Sequence, residues 1–202
     1  MATNHEYLKG FAARLSIITA ILLQSVTIVH GQAPDTISCN DLKNSVYIDP
    51  LLPFFDLLIV NYGYDYNDRN EGVFGLVLSK ASTTPTKYLE YPGYVKSIGA
   101  VIGHRFYFYK GIHLDAWFMP GYNSYFEEDE HRYYKSFSIY NEYRVGYKLD
   151  FSLFKLPLLA NFQWPVGFSL LDTNKPASFR SLDKEDPIFY LFIPNIWIGY
   201  RF

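Results

Sequence analysis

The chain has 202 residues, a formal net charge of −2 and an aromatic content of 19%, with 19 tyrosines and 17 phenylalanines. The nearly even balance of charge, without a basic run, excludes the electrostatic pattern of a nucleic-acid-binding protein. A mean hydropathy of −0.06 argues against a bundle of membrane-spanning helices, because each such helix needs about 20 consecutive apolar residues. The single cysteine, Cys39, excludes an internal disulfide.

The first 31 residues have the pattern of a secretory signal peptide. Lys9 and Arg14 precede an apolar run at 15–29, and small residues end the segment before Gln32. The alternative for this segment is a buried N-terminal helix. We therefore predict a signal peptide over 1–31, a periplasmic lead-in over 32–42 and a β-barrel over 43–202. Cys39, in the lead-in, is interpreted as a free thiol rather than a lipoprotein site.

The last fifteen residues, 188–202, give the clearest structural pattern. Every second residue from Phe202 back to Ile188 is apolar or aromatic, whereas the other face is mixed and includes Arg201 and Asn195. A period of two indicates a β-strand. Its apolar face is much longer than that of a soluble strand, which usually has about 5–6 residues. A long apolar outer face and a mixed inner face are typical of a membrane β-barrel.

The same alternation recurs along the chain and predicts eight strands, at 45–52, 57–66, 73–80, 97–109, 112–123, 137–148, 154–168 and 188–202. The connections alternate between short ones (67–72, 110–111, 149–150) and long ones (81–94, 126–133, 172–187), with an exception near Pro53. We therefore predict an all-β fold, an eight-stranded antiparallel up-and-down transmembrane β-barrel. Prolines at 120, 157, 165 and 194 should each mark a gap or bulge.

Three strands that run in the same direction carry one five-residue pattern: an aliphatic residue, glycine, a ring, a base and an apolar residue. The copies are at 102–106, 145–149 and 198–202. The glycine and the base fall on the predicted inner face. We expect the glycine to leave room for a large neighbour such as Trp197, and the base to pair with a carboxylate.

The segments 43–49, 58–66, 103–108 and 198–202 resemble those of small outer-membrane β-barrel proteins of Bacteroidota-type Gram-negative bacteria, with an OmpA- or OmpX-like architecture. The resemblance implies a location in the cell outer membrane and contact with outer-membrane lipid and lipopolysaccharide. It also implies that Tyr200 and Phe202 belong to the C-terminal signal read by the barrel assembly machinery. We expect a monomer without a cofactor, a metal or a nucleic-acid partner.

Charged residues at the predicted inner face are the candidates for a polar cluster inside the barrel. Such charges must pair or be hydrated, because isolated burial is costly. Eight strands leave space only for packed side chains, so we interpret the cluster as a structural plug rather than a channel. The candidates are Asp49, Asp65, Arg105, His113, Asp115, Glu142, Arg144, Lys155 and Arg201.

The function predicted is therefore a structural or surface-interaction role in the outer membrane, without identified chemistry. One alternative is a lipid A deacylase-like hydrolase. His104 is the only histidine on the predicted lipid face and has no serine at recognisable spacing, whereas His113 and Asp115, which could meet Ser138 or Glu142, face inward.

A second alternative is a small-ligand-binding barrel, including a soluble lipocalin-like barrel with an apolar interior. The acidic run at 127–130, followed by His131, could supply carboxylate ligands to Ca²⁺. Its ligands are consecutive rather than spaced, so we interpret it as a solvated loop.

Overall fold

The computed structural model describes residues 42–84, 89–185, 189–191 and 194–202. Its strands are β1 (Asn44–Ile48), β2 (Leu57–Asn67), β3 (Asn70–Thr83), β4 (Glu90–Tyr109), β5 (Ile112–Glu127), β6 (Arg132–Leu153), β7 (Leu156–Asp172) and β8, in two segments (Phe189–Leu191 and Asn195–Arg201). A 3-10 helix (Leu52–Phe55) follows β1, and helix α1 (Ala177–Glu185) follows β7. The predicted signal peptide and Cys39 lie outside the described residues.

The eight strands form one sheet that closes into a ring. Each strand pairs antiparallel with the next one along the chain, and β8 pairs with both β7 and β1. The predicted all-β class and the eight-stranded up-and-down order are therefore confirmed. Directly paired residues can be followed from strand to strand around the ring, beginning at Tyr200 of β8 and its partner Val46 of β1. The last pair leads back to β8 at Phe189, which is eleven residues before Tyr200. Such a stagger tilts the strands relative to the ring axis.

The connections differ at the two ends of the ring. The short-turn end holds the turns 68–69, 110–111 and 154–155, together with residues 43 and 202. The loop end holds the connections 49–56 and 128–131, together with residues 84 and 89 and residues 173–185. The predicted turn at 149–150 is wrong, because β6 continues to Leu153. Lys155, predicted to point inward, is instead an exposed turn residue with φ of +63°.

Several strand boundaries differ from the prediction, and two of these differences have a local cause. The first strand ends at Ile48, not at residue 52, because Asp49 turns the chain: its Oδ1 accepts hydrogen bonds from the backbone N–H of Leu51 and Leu52. Its Oδ2 accepts one from Ile196 in β8. The predicted turn at 67–72 shrinks to residues 68–69, because β3 already pairs with β4 from Asn70 onward.

Of the four prolines predicted to mark a gap or bulge, Pro120, Pro165 and Pro194 lie beside an interruption in pairing, whereas Pro157 is paired with Ser152 of β6. Next to Pro120, the pair Gly99–Gly121 of β4 and β5 is followed by Ile102–Phe118, so the two pairs between them are missing. Pro157 lies beyond the last pair of β7 and β8. Pro165 and Pro194 lie at the break between the two segments of β8.

The two faces of the ring differ sharply in composition. An apolar cluster fills part of the interior and consists of Tyr47, Ile59, Val73, Val101, Trp117, Leu159 and Trp197. Phe179 of α1 is buried at the loop end, where its ring stacks on Tyr91 (4.8 Å between centroids) and meets Tyr125 (5.1 Å). The outer face carries exposed large apolar side chains. Within the described ranges, no helix is long and apolar enough to cross a membrane.

Candidate functional site

Arg105 on β4 is the centre of a charged cluster inside the ring. Its Nε and one terminal nitrogen donate to the two carboxylate oxygens of Asp115, both at 2.8 Å. Its other terminal nitrogen donates to Glu71 at 2.9 Å. Nδ1 of His113 lies 2.7 Å from Asp115 Oδ1. The side chains of all four residues are fully buried, so each charge is compensated by direct contact rather than by water.

Arg144 on β6 extends this cluster toward the apolar core. It donates to Glu142 two positions away, and to Gln163 Oε1 at 2.9 Å. Gln163 in turn donates to Asp115 at 2.6 Å, which joins the two arginine sites. The guanidinium also lies over the Trp117 ring, 3.5 Å from its centroid, where a cation interacts favourably with the ring face.

A third group of charges lies toward the short-turn end. Arg201 donates to Asp150 at 2.6 Å and also to Asp65. Lys148 Nζ lies 3.0 Å from Glu71 and 3.9 Å from Asp65. The structure thus brings seven of the nine predicted inner-face residues into networks linked through Glu71 and Gln163: Asp65, Arg105, His113, Asp115, Glu142, Arg144 and Arg201.

The recurrent five-residue pattern has one geometry in its three copies. The base of each copy bonds a carboxylate: Arg105 to Asp115, Lys148 to Glu71, and Arg201 to Asp150. Each glycine faces a large neighbour that a Cβ would touch at 2.8 Å or less. The pairs are Gly103 with Trp117, Gly146 with His113 and Gly199 with Tyr47, rather than the expected Trp197.

Sequence reasoning missed Glu71, which binds two of the cations. It is fully buried, and besides Arg105 and Lys148 it accepts a hydrogen bond from the Tyr107 hydroxyl. Its polar neighbours on the chain, Asn70 and Gly72, made the segment resemble a turn. The alternation of β3, continued two residues before Val73, would have identified Glu71, because the side chains of Glu71 and Val73 both face inward.

Neither histidine inside the strands has the neighbours of a serine hydrolase. On the outer face, His104 is hydrogen-bonded to the Tyr66 hydroxyl at 2.9 Å and to Asn70 Oδ1 at 3.1 Å. On the inner face, Nε2 of His113 is 2.9 Å from Asn161 Oδ1. Among the described residues, no serine is hydrogen-bonded to either ring.

The acidic run at the β5–β6 connection is engaged in local contacts. Glu130 accepts a hydrogen bond from the Tyr134 hydroxyl. Glu127 is largely buried at the end of β5. In the part of the chain that the structure describes, no group of three or more His, Cys, Asp or Glu residues is arranged to hold a metal ion.

The two residues of the predicted assembly signal lie side by side at the short-turn end. The rings of Tyr200 and Phe202 stack with their centroids 6.3 Å apart. Tyr200 is buried between β1 and β7, whereas Phe202 is exposed.

Comparisons with known proteins leave the geometry as the basis for interpretation. No protein-family model, no curated protein and no solved structure matches the chain.

Proposed function

We propose that the chain is an outer-membrane β-barrel protein with a structural or surface-interaction role. The observation that carries this proposal is the inversion of polarity across the ring wall. Charged side chains are buried inside, and large apolar side chains are exposed outside on every strand from β2 to β8. Examples from these seven strands are Tyr62, Phe74, Ile102, Phe118, Tyr143, Phe162 and Ile198.

A belt of this kind matches lipid better than water. Soluble monomers rarely expose a contiguous apolar patch larger than a few hundred square ångströms, whereas here exposed apolar side chains occur around the ring. Closure of the ring supports the same conclusion, since a closed sheet pairs its backbone groups without an edge, which hydrocarbon requires. The outer face therefore contacts acyl chains, and the loop-end connections meet lipopolysaccharide or a surface partner.

The polar interior supports the outer-membrane proposal against a soluble lipocalin-like barrel. A lipocalin-like barrel would direct its apolar side chains inward and keep its charges outside. In this ring, charged and polar side chains are fully buried on the inner side, among them Arg105, Glu71 and His113. These bonded charges occupy the part of the interior around Arg105, where a lipocalin-like barrel would hold an apolar ligand.

Location and biogenesis follow from the same proposal. The signal peptide at 1–31 would direct secretion, and the short-turn end, where residues 43 and 202 lie, would face the periplasm. The terminal aromatic pair, Tyr200 and Phe202, would be recognised by the barrel assembly machinery. A bacterium of the Bacteroidota type is the source that this proposal favours, and the folded unit is a monomer.

The experiment is fractionation of expressing cells followed by electrophoresis of the purified protein with and without boiling. We expect the protein in the outer-membrane fraction and a shift in mobility on heating, because a closed barrel resists detergent until heated. A variant lacking Tyr200 and Phe202 should accumulate outside the membrane fraction. Recovery of the unaltered protein from the soluble periplasm would contradict the proposal.

A further inference from the structure

A cavity of about 710 Å³ lies at the short-turn end of the ring. Small-molecule sites usually have volumes of about 300–1,000 Å³, so the cavity has the size of a ligand site. It is lined by the start of the described chain, by the β2–β3 and β4–β5 turns, and by the adjoining ends of β2, β4, β6 and β8.

The charges on the cavity wall are unequal. Five cations line it (Lys43, Arg69, Lys110, Lys148 and Arg201), together with three carboxylates (Asp65, Asp68 and Asp150). Lys148 and Arg201 are committed to ion pairs, with Glu71 and Asp65 for the lysine and with Asp65 and Asp150 for the arginine. These paired groups form one side of the cavity.

Three cations remain without an acidic partner among the described residues: Lys43, Arg69 and Lys110. They come from three separate elements, namely the chain entering β1, the β2–β3 turn and the β4–β5 turn. The lining carboxylate of Asp68 is also without a cationic partner among the described residues. Together, the three unpaired cations and this carboxylate leave a net charge of +2 on the cavity wall. Charge of one sign in a concave site with low-dielectric walls concentrates the field and attracts counter-ions.

We propose that this cavity binds a small soluble polyanion that carries two or more phosphate or carboxylate groups. Lys43, Arg69 and Lys110 donate charge-assisted hydrogen bonds to its oxygens from three sides. The planar guanidinium of Arg69 can bind one such group through two parallel bonds. The proposal does not rest on membrane insertion, since it uses only the short-turn end of the ring, and its outcome is therefore separate from that of the fractionation experiment.

The test is isothermal titration of the folded mature protein with pyrophosphate and, separately, with citrate at constant ionic strength. We expect saturable binding of at least one probe with a stoichiometry of one. Arg69→Gln and Lys110→Gln should each weaken that binding about tenfold, because each removes one charged hydrogen-bond donor from the cavity.

Lys135→Gln is the matched control, because Lys135 is an exposed lysine near the loop end, outside the cavity lining. It should leave the affinity unchanged. Circular dichroism of each variant establishes that it is folded before titration. The proposal is overturned if neither probe binds saturably, or if Lys135→Gln weakens binding as much as Arg69→Gln does, since either result would mean that the cavity itself is not the site.

Discussion

Gly63 is a glycine because the side chain of Glu71 occupies the space beside it. A Cβ built on Gly63 would lie 2.2 Å from Glu71 Oε1 and 2.6 Å from Ser45 Oγ. Glu71 in turn holds Arg105 and Lys148. One missing methyl group thus allows a carboxylate to reach two cations inside the ring.

Gly63→Ala should therefore destabilise the protein by about 1–3 kcal/mol, the usual cost of overpacking a well-packed interior. The free energy of unfolding in urea measures it. Gly121→Ala is the control, because its Cβ would meet no atom closer than 3.3 Å, and it should cost less than Gly63→Ala. Equal losses for the two variants would show that the Glu71 carboxylate moves aside freely.

Arg105 provides a second prediction for single residues. Arg105→Met removes the cation that lies between Asp115 and Glu71, and it leaves both buried carboxylates with fewer partners. Removing one partner of a buried ion pair typically costs about 3–5 kcal/mol. Arg132→Met, at an exposed position, should change the free energy of unfolding by less than about 0.5 kcal/mol. A small effect at Arg105 would mean that water replaces the guanidinium.

The β6–β7 turn has an unfavourable local sequence for its backbone conformation. Phe154 and Lys155 both have positive φ, 52° and 63°, as in a type I′ turn, for which Asn-Gly is preferred. Phe154 is also 88% exposed, so burial does not compensate for the unfavourable backbone conformation. The left-handed region costs roughly 1–2 kcal/mol for a residue with a side chain.

Replacing Phe154-Lys155 by Asn-Gly should therefore stabilise the folded protein by about 1 kcal/mol in detergent, measured by urea unfolding. The control is Lys110→Asn at the β4–β5 turn, where Gly111 already occupies the second position with φ of +85°. It should give a smaller gain. A loss of stability on the Asn-Gly exchange would indicate that the Phe154 ring makes a contact that outweighs the strain.

The sequence predicted the elements through alternation, and it was least accurate where alternation and composition conflict. Alternation placed Arg105, Asp115 and Arg144 on the inner face, because a period of two needs no knowledge of other strands. The polar run around Glu71 was taken for a turn because its composition suits one. The bond between Lys148 and Glu71 joins residues 77 positions apart. It depends on the stagger of the whole ring, which no local pattern contains.

In the whole molecule, alternate residues of each strand face the interior and the outside of the ring. The two faces therefore have different surroundings. The apolar cluster and the arginine networks share the interior. The buried charges are held mainly by neighbours on other strands, except that Glu142 is bonded by Arg144 of its own strand. The outer wall has few polar contacts, such as the bond between Tyr66 and His104. An outer wall of this composition suits lipid better than water. Charge substitution on the outer face tests whether lipid surrounds the ring.

Ile102, on the outer face of β4, is the position for that test. Arginine on the lipid face of a barrel costs about 2–4 kcal/mol at the bilayer midplane and about 0–1 kcal/mol near its surfaces. Ile102→Arg should therefore reduce the free energy of unfolding in lipid vesicles by about 2–4 kcal/mol. Tyr133→Arg, at an exposed position beside the β5–β6 connection, should cost less than about 1 kcal/mol. If water surrounded the ring instead, both exposed positions would tolerate arginine within about 0.5 kcal/mol, and equal, small effects would therefore contradict a membrane location.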